Sequence, residues 1–522
     1  MSAAATFRRA ATAAALASAA LAAAPPARAQ ATNEARTAAY LAAVRDRPPL
    51  LYAFVREMPK GADLHSHLSG AVYAESFLRW AAEDSLCVSR RALAMVRASC
   101  AGSHGDTIPV ADALNDATLY GQLIDAASMR NWNPAQRSGH DQFFDAFTRL
   151  GALPRRVGDE LAEAQARAAD GNVSYLELML TADGPAATQL ASNVPATAFE
   201  PGREPDFAAA LAALRPGMPG VVQTARDALT RVEARRDTVL RCTPSRGGGA
   251  GCEVAVRWLY QVGRGRPPAQ VFAQILTGFE LARADPRVVG FNLVMPEDGL
   301  ISMRDFTLHM RMIDYLHRLY PQVKISLHAG ELSPGLVPPE GMRFHIRQSV
   351  ELGHASRIGH GVDVMWEDRP YELLREMRDR GVMVEIALTS NDAILGIRGR
   401  DHPLAVYRRW GVPVALATDD QGVARSEMPR EYQKAVQEQG LDYAALKAMA
   451  RTSLEHAFVG GASVWRDGRT FAPVAECAPT AGGFAGARCA SFAAASPRAK
   501  LQRDLELAFR AFEARYAAMP TP

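Results

Sequence analysis

The sequence predicts an α/β protein whose strands and helices alternate into a (β/α)₈ barrel of TIM type, with a helical N-terminal arm and insertions. Three observations predict it. Eight short apolar runs of strand character recur between residues 61 and 420. Most segments between them place apolar residues three and four apart, the period of a helix with one buried face. Histidines and carboxylates stand at the downstream ends of the runs, where a barrel of parallel strands carries its chemistry.

Taken in order, the first 29 residues read as an export signal. Arg8 and Arg9 precede an Ala/Leu-rich run from Ala10 to Ala24, and "ARA" at 27–29 has the small-x-small form of a cleavage site. The run is too short and alanine-rich to span a membrane stably. "TFRR" leaves twin-arginine export open, though it matches that signal poorly. The expected location is therefore periplasmic or extracellular. Residues 30–58 form a helical arm, clearest in "EARTAAYLAAVRD", and 59–460 form the barrel.

The eight runs are "ADLHSH", "VSYLELML", "EVAVRWLY", "VVGFNLVM", "KISLHAG", "RIGHG", "VMVEIAL" and "VPVALATDD". Helical patterns such as "PAQVFAQILTGFELARAD" and "PYELLREMRDRG" separate them, and strand–helix alternation implies parallel pairing. Two insertions break the rhythm. Residues 74–165 look mostly helical, and 181–252 hold Pro, Gly and "SRGGGAG", which reads as a flexible loop. From 461 the chain is Ala/Gly-rich and ends in a helix, "AKLQRDLELAFRAFEARYAAM".

Composition is that of an ordinary globular protein, 48% hydrophobic and 22% charged. The 59 basic and 56 acidic residues include three arginines and no acids within the first 29, so 56 of each remain beyond the signal. With no basic, aromatic-interleaved tract, nucleic acid is not an expected partner. No later segment is apolar enough for a membrane span, and a homodimer is left open. Six cysteines allow fifteen connectivities. They fall into close pairs, Cys87/Cys100, Cys242/Cys252 and Cys477/Cys489, which favours three local disulfides in an oxidising compartment.

Reading only the run ends collects a site. Alternate residues of a strand face one side, so His65 and His67 project together. The fifth run adds His328 and Glu331, the sixth His360, and the eighth Asp419 and Asp420. Three imidazoles and a carboxylate suit a borderline divalent metal such as zinc, bound at about 2.0–2.2 Å. His65, His67, His328 and Asp419 are the expected ligands of one zinc, with one position left for water.

"MPKGADLHSHLSGA", "HAGE", "IGHG" and "TDD" together resemble the motif series of adenosine deaminases, in the metal-dependent amidohydrolase superfamily. "ARTAAYLAAV", "NVSYLEL" and "SLEHAFV" resemble the secreted adenosine deaminase-related growth factor branch. The resemblance implies zinc-dependent hydrolytic deamination of adenosine or a related 6-aminopurine nucleoside. It implies that Glu331 exchanges a proton with purine N1, His360 orients the attacking water, and Asp420 anchors that water and the N7 side. A carboxyl that donates to a ring nitrogen must hold its proton, so Glu331 needs a raised pKa.

Substrate contacts are implied for Ser69, Gly70, Met295 and Asp420, with two departures. Ser69 replaces an Asp that touches the ribose in intracellular members. Met295 stands where the family has a glycine whose N–H meets purine N3; a methionine keeps that N–H and crowds the base. Slipped by one onto Pro296, no N–H remains. Ser390 and Asn391, in "LTSN", are read either as support for the site or as a plain turn.

Two other functions fit parts of the pattern. A binuclear amidohydrolase usually bridges its metals with a carboxylated lysine, yet no lysine occurs between Gly61 and Val323; Glu297 is the available substitute. A non-catalytic extracellular adenosine-binding or growth-modulating protein could retain the barrel.

Overall fold

The computed structural model describes residues 32–96, 100, 105–150, 156–243 and 248–520. The export segment 1–29 and part of "SRGGGAG" lie outside them.

All eight runs become strands of one parallel sheet. They are β1 (Gly61–His67), β2 (Val173–Leu180), β3 (Ala255–Gly263), β4 (Val288–Val294), β5 (Lys324–Ala329), β6 (Arg357–His360), β7 (Met383–Ile386) and β8 (Val414–Leu416). Each pairs with its sequence neighbour. The ring closes just past β8, where Asp419 N–H donates to His65 O (2.9 Å), His67 N–H donates to Asp419 O (3.4 Å), and Ser66 bridges Asp419 in parallel. The β1 side chains are buried on both faces, as a barrel wall requires. The core outside it is apolar, with Leu41, Phe54, Phe279 and Leu316 packed between strands and helices.

The third run starts two residues later than its sequence suggests, because Ala250–Glu253 turn as a 3₁₀-helix. The insertion 74–165 carries, beside its helices, a three-stranded antiparallel sheet of Cys87–Ser89, Ala94–Val96 and Thr107–Pro109. The described residues between 181 and 243 are mainly helical, and include the 23-residue helix Met218–Leu240. Proline in its first turn fits the N-terminal geometry, and its buried stripe is only Met218, Val221, Ala225 and Leu229. Such a sparse stripe is why periodicity alone passes over it.

The N-terminal helices Asn33–Val44 and Pro48–Glu57 meet the C-terminal helix Pro497–Ala518 through the rings of Tyr40, Phe54, Phe512 and Tyr516. The three close cysteine pairs are bonded: 87–100, 242–252 and 477–489. Among the described residues no helix is long and apolar enough to cross a membrane.

Candidate active site

The strand ends bring His65, His67, His328 and Asp419 together, all buried, with one possible ligand atom from each lying within 4.8 Å of the others. Asp419 Oδ1 is 3.4 Å from His65 Nε2 and 3.3 Å from His67 Nε2, and His67 Nε2 is 3.1 Å from His328 Nε2. Four donors at the corners of a tetrahedron around a metal at about 2.1 Å stand about 3.4 Å apart. The spacing fits a metal.

Hydrogen-bond direction strengthens that fit. Nδ1 of His65 faces Glu385 Oε2 (2.6 Å), Nδ1 of His67 faces Gln261 Oε1 (3.1 Å), and Nδ1 of His328 faces Asn292 Oδ1 (2.8 Å). Asn292 Oδ1 also accepts the His328 backbone N–H at 2.9 Å, which fixes that end of the amide as oxygen. With Nδ1 of each ring donating, Nε2 of each neutral ring is a lone pair. Three lone pairs and the Asp419 Oδ1 therefore converge, and His65 Nε2 and Asp419 Oδ1 find no hydrogen-bond donor. A cation is the group such a set accommodates. Ser390 Oγ–H holds the other oxygen, Asp419 Oδ2, at 2.7 Å.

Behind the histidines an ion-pair chain crosses the barrel interior. Arg357 meets Glu385 (2.6 Å) and Glu177 (2.7 Å), with all three side chains essentially inaccessible to water. Its guanidinium lies 3.7 Å from the Phe458 ring centroid. This chain fixes the carboxylate that orients His65.

Glu331 lines the cavity, and its backbone is clamped: Glu297 accepts the N–H of Gly330 (3.0 Å) and of Glu331 (2.8 Å), and pairs with His345 Nδ1 (2.6 Å). Burial would raise Glu297, but the Arg264 guanidinium, His345 and these N–H groups hold it down to about 2. Glu297 is thus committed to the loop, and this opposes its use as a bridge between two metals. Burial, and next the charge of Asp419, push the Glu331 carboxyl well above the usual range. Burial pushes Asp420 up to about 8.

The cavity at this mouth is about 300 Å³, at the small end of ligand sites. Its apolar wall comes from Phe143, Phe144 and Phe147 on the inserted helix Gly139–Leu150, and from Val294, Met295 and Pro296 after β4. Its polar lining includes Ser69, Gln261, Glu331, Asp419 and Asp420; no lysine or arginine contributes among the described residues.

The substrate residues expected from sequence divide. Ser69, Met295 and Asp420 line the cavity, while Gly70 lies beneath Asp420, where an added Cβ would come 1.6 Å from Oδ1. Gly70 makes room for that carboxylate and is not part of the cavity wall. Met295 has φ +83°, with His360 at +68° and Asp419 at +56°. Such left-handed backbone in non-glycine residues concentrates at functional sites.

Gln261, Asn292 and Glu385 escape the strand-end reading, and Glu297, read from sequence only as a possible metal bridge, serves instead to clamp the loop. The signal was a polar residue inside an apolar run, as in "RWLYQVG", "GFNLV" and "VEIAL".

Residues 237–463 match the adenosine deaminase family. That stretch contains β3–β8, with His328, Glu331, His360, Asp419 and Asp420; His65 and His67 lie before it. The adenine deaminase of Rhizobium leguminosarum bv. trifolii is 31% identical over 177 residues, 34% of this chain and 49% of that one. The adenosine deaminase of Clostridium perfringens is 28% identical over 136 residues, 26% and 38% of the two chains. The chain thus spans about half the length, or less, of these curated relatives. Among solved structures, the Arabidopsis N6-mAMP deaminase is 20% identical with a TM-score of 0.49, covering 78% of this chain and 96% of that one. The adenine deaminase of Arthrobacter aurescens is 17% identical with a TM-score of 0.48, covering 77% and 94%.

Proposed function

We propose that the protein is a zinc-dependent deaminase of an unphosphorylated 6-aminopurine, with adenosine or a close nucleoside relative as substrate. The observation that carries this is one small cavity in which a four-donor metal cluster, a proton-holding Glu331 and Asp420 converge. A metal held by His65, His67, His328 and Asp419 would supply Lewis acidity, lowering the pKa of a water toward ~7. The chain supplies the rest. Glu331 donates its proton to the ring nitrogen beside C6, which draws electrons from that carbon. Asp420 anchors the incoming water, and the Phe143/Phe144/Phe147 wall keeps bulk solvent from the base. Water oxygen adds at C6 and gives up both protons: one goes to the amino nitrogen, which leaves as ammonia as the C6–N bond breaks, and the other restores Glu331, giving the 6-oxopurine.

A lining with no basic side chain gives a phosphate no counter-charge, which supports an unphosphorylated substrate over a nucleotide. Ser69 offers a sugar hydroxyl only a neutral hydrogen bond, weaker than a charge-assisted one. Within the family we place the chain in the secreted growth-factor-type branch, on its N-terminal motifs. We likewise propose export, supported by the 1–29 segment and by three disulfides, which suit an oxidising compartment.

The test is a substrate series on the metal-loaded protein: adenine, adenosine, 2′-deoxyadenosine and AMP, with elemental analysis alongside. We expect about one zinc per chain, turnover of the nucleosides, and AMP poorest of the four. Glu331→Gln keeps its zinc and loses at least 10²-fold in kcat. Two tightly held metals, or a zinc-loaded wild type inert toward every 6-aminopurine, would overturn the proposal, the latter in favour of a binding protein.

A further inference from the structure

His360 is joined to two side chains whose hydrogen bonds have a fixed direction. The chain starts at a backbone donor. Leu404 N–H donates to His402 Nδ1 at 3.1 Å. A backbone amide has only a proton to offer, so His402 Nδ1 is a lone pair and the ring's proton is on Nε2. That Nε2–H donates to Asn391 Oδ1 at 3.0 Å, which settles which end of the Asn391 amide is oxygen. The other end, Nδ2–H, lies 2.9 Å from His360 Nδ1 and must donate to it. All three side chains are at most 1% exposed, so no water competes for these bonds. His360 therefore carries its proton on Nε2. This atom has no partner in the protein among the described residues, and it points between Glu331, 3.6 Å away, and Asp419.

We infer that Asn391 and His402 are positioning residues that hold His360 in its Nε2–H form, so that at the reacting centre it gives a hydrogen bond to the attacking oxygen rather than taking its proton. The attacking oxygen rests on the deaminase reading; the tautomer does not.

Two substitutions separate this role from a structural one. Asn391→Asp keeps the shape and the acceptor for His402, but replaces the donor to His360 by an acceptor. His360 then turns its proton to Nδ1 and presents a lone pair to the site. Imposing the wrong tautomer on a catalytic imidazole costs up to ~10⁴-fold. We expect kcat of Asn391→Asp to fall at least a hundredfold, and below that of Asn391→Ala, with KM and bound metal unchanged. A packing role gives the opposite order, because alanine leaves a hole and strands the His402 donor, and that order would overturn the inference.

The second arm does not involve turnover. In ¹⁵N-histidine spectra of the metal-loaded protein, with His360 assigned through His360→Gln, the wild type should show protonated Nε2 and Asn391→Asp protonated Nδ1. Protonated Nδ1 in the wild type would overturn the inference whether or not any variant folds. A wild type inert toward purines would instead sink the deaminase reading and leave the spectra to decide this one.

Discussion

At the scale of single residues, Met295 shows a backbone and a side chain making different demands. Its φ of +83° is one that glycine adopts freely, and it places a 43%-exposed thioether over Gly263 and Gly265 at the cavity edge. In Met295→Gly, relief of left-handed strain, about 1–2 kcal/mol, is offset by the ~0.5–1 kcal/mol of backbone entropy that glycine loses on folding. Unfolding free energy should therefore change by less than about 1 kcal/mol, while KM for adenosine falls severalfold as the base edge is uncovered. A raised KM in steady-state assays would assign the thioether a favourable contact instead. The donor cluster itself was legible because its members end strands, and strand ends meet at one mouth. Glu385, Gln261 and Asn292 were not. A polar residue in mid-strand is silent until the imidazole that it orients is seen across the barrel.

At the scale of elements, helix Gly139–Leu150 illustrates what periodicity leaves out. Its aromatic face is visible in "QFFDAF", but its place over the cavity depends on contacts hundreds of residues away. His140 Nε2 lies 3.0 Å from Asp298 Oδ1, and Gly139 packs so closely that a Cβ would come 1.8 Å from Ala393 O. Backbone cannot yield as a side-chain tip can. Gly139→Ala must displace the helix, at about 1–3 kcal/mol of overpacking. KM should rise at least tenfold as Phe143 and Phe147 shift, with zinc content unchanged by elemental analysis. An unchanged KM would show that the helix does not shape the cavity. Met218–Leu240 escaped the sequence for a different reason: four buried positions in 23 residues leave too faint a stripe to separate helix from loop.

At the scale of the whole molecule, stability carries a pH signature from inside the helical layer. His309, on helix Phe306–Leu319, is fully buried, neither ring nitrogen has a hydrogen-bond partner, and burial holds its pKa down to about 4. Above pH 6.5 the ring is neutral folded or unfolded and contributes no slope. Below 6.5 the unfolded chain takes up a proton that the fold refuses until about pH 4. This group therefore removes stability as pH falls through that window, up to about 3 kcal/mol. His309→Leu abolishes the titration and the two unpaired nitrogens. In urea titrations it should be the more stable protein at pH 7, with a margin that widens toward pH 4. A margin independent of pH would sink this account.

The joint between β8 and β1 has no strand ladder: a single bridge and two backbone bonds at Asp419 close it, beside the Thr418–Asp63 side-chain pair, and Asp419 and its partners His65 and His67 are residues that converge on the candidate metal. A cation held there acts as a clasp on a hoop. His65 and His67 would hold it from one lip and Asp419 from the other, with His328 on the opposite wall. A metal bound there would then tie the closure of the barrel to the occupancy of the candidate site.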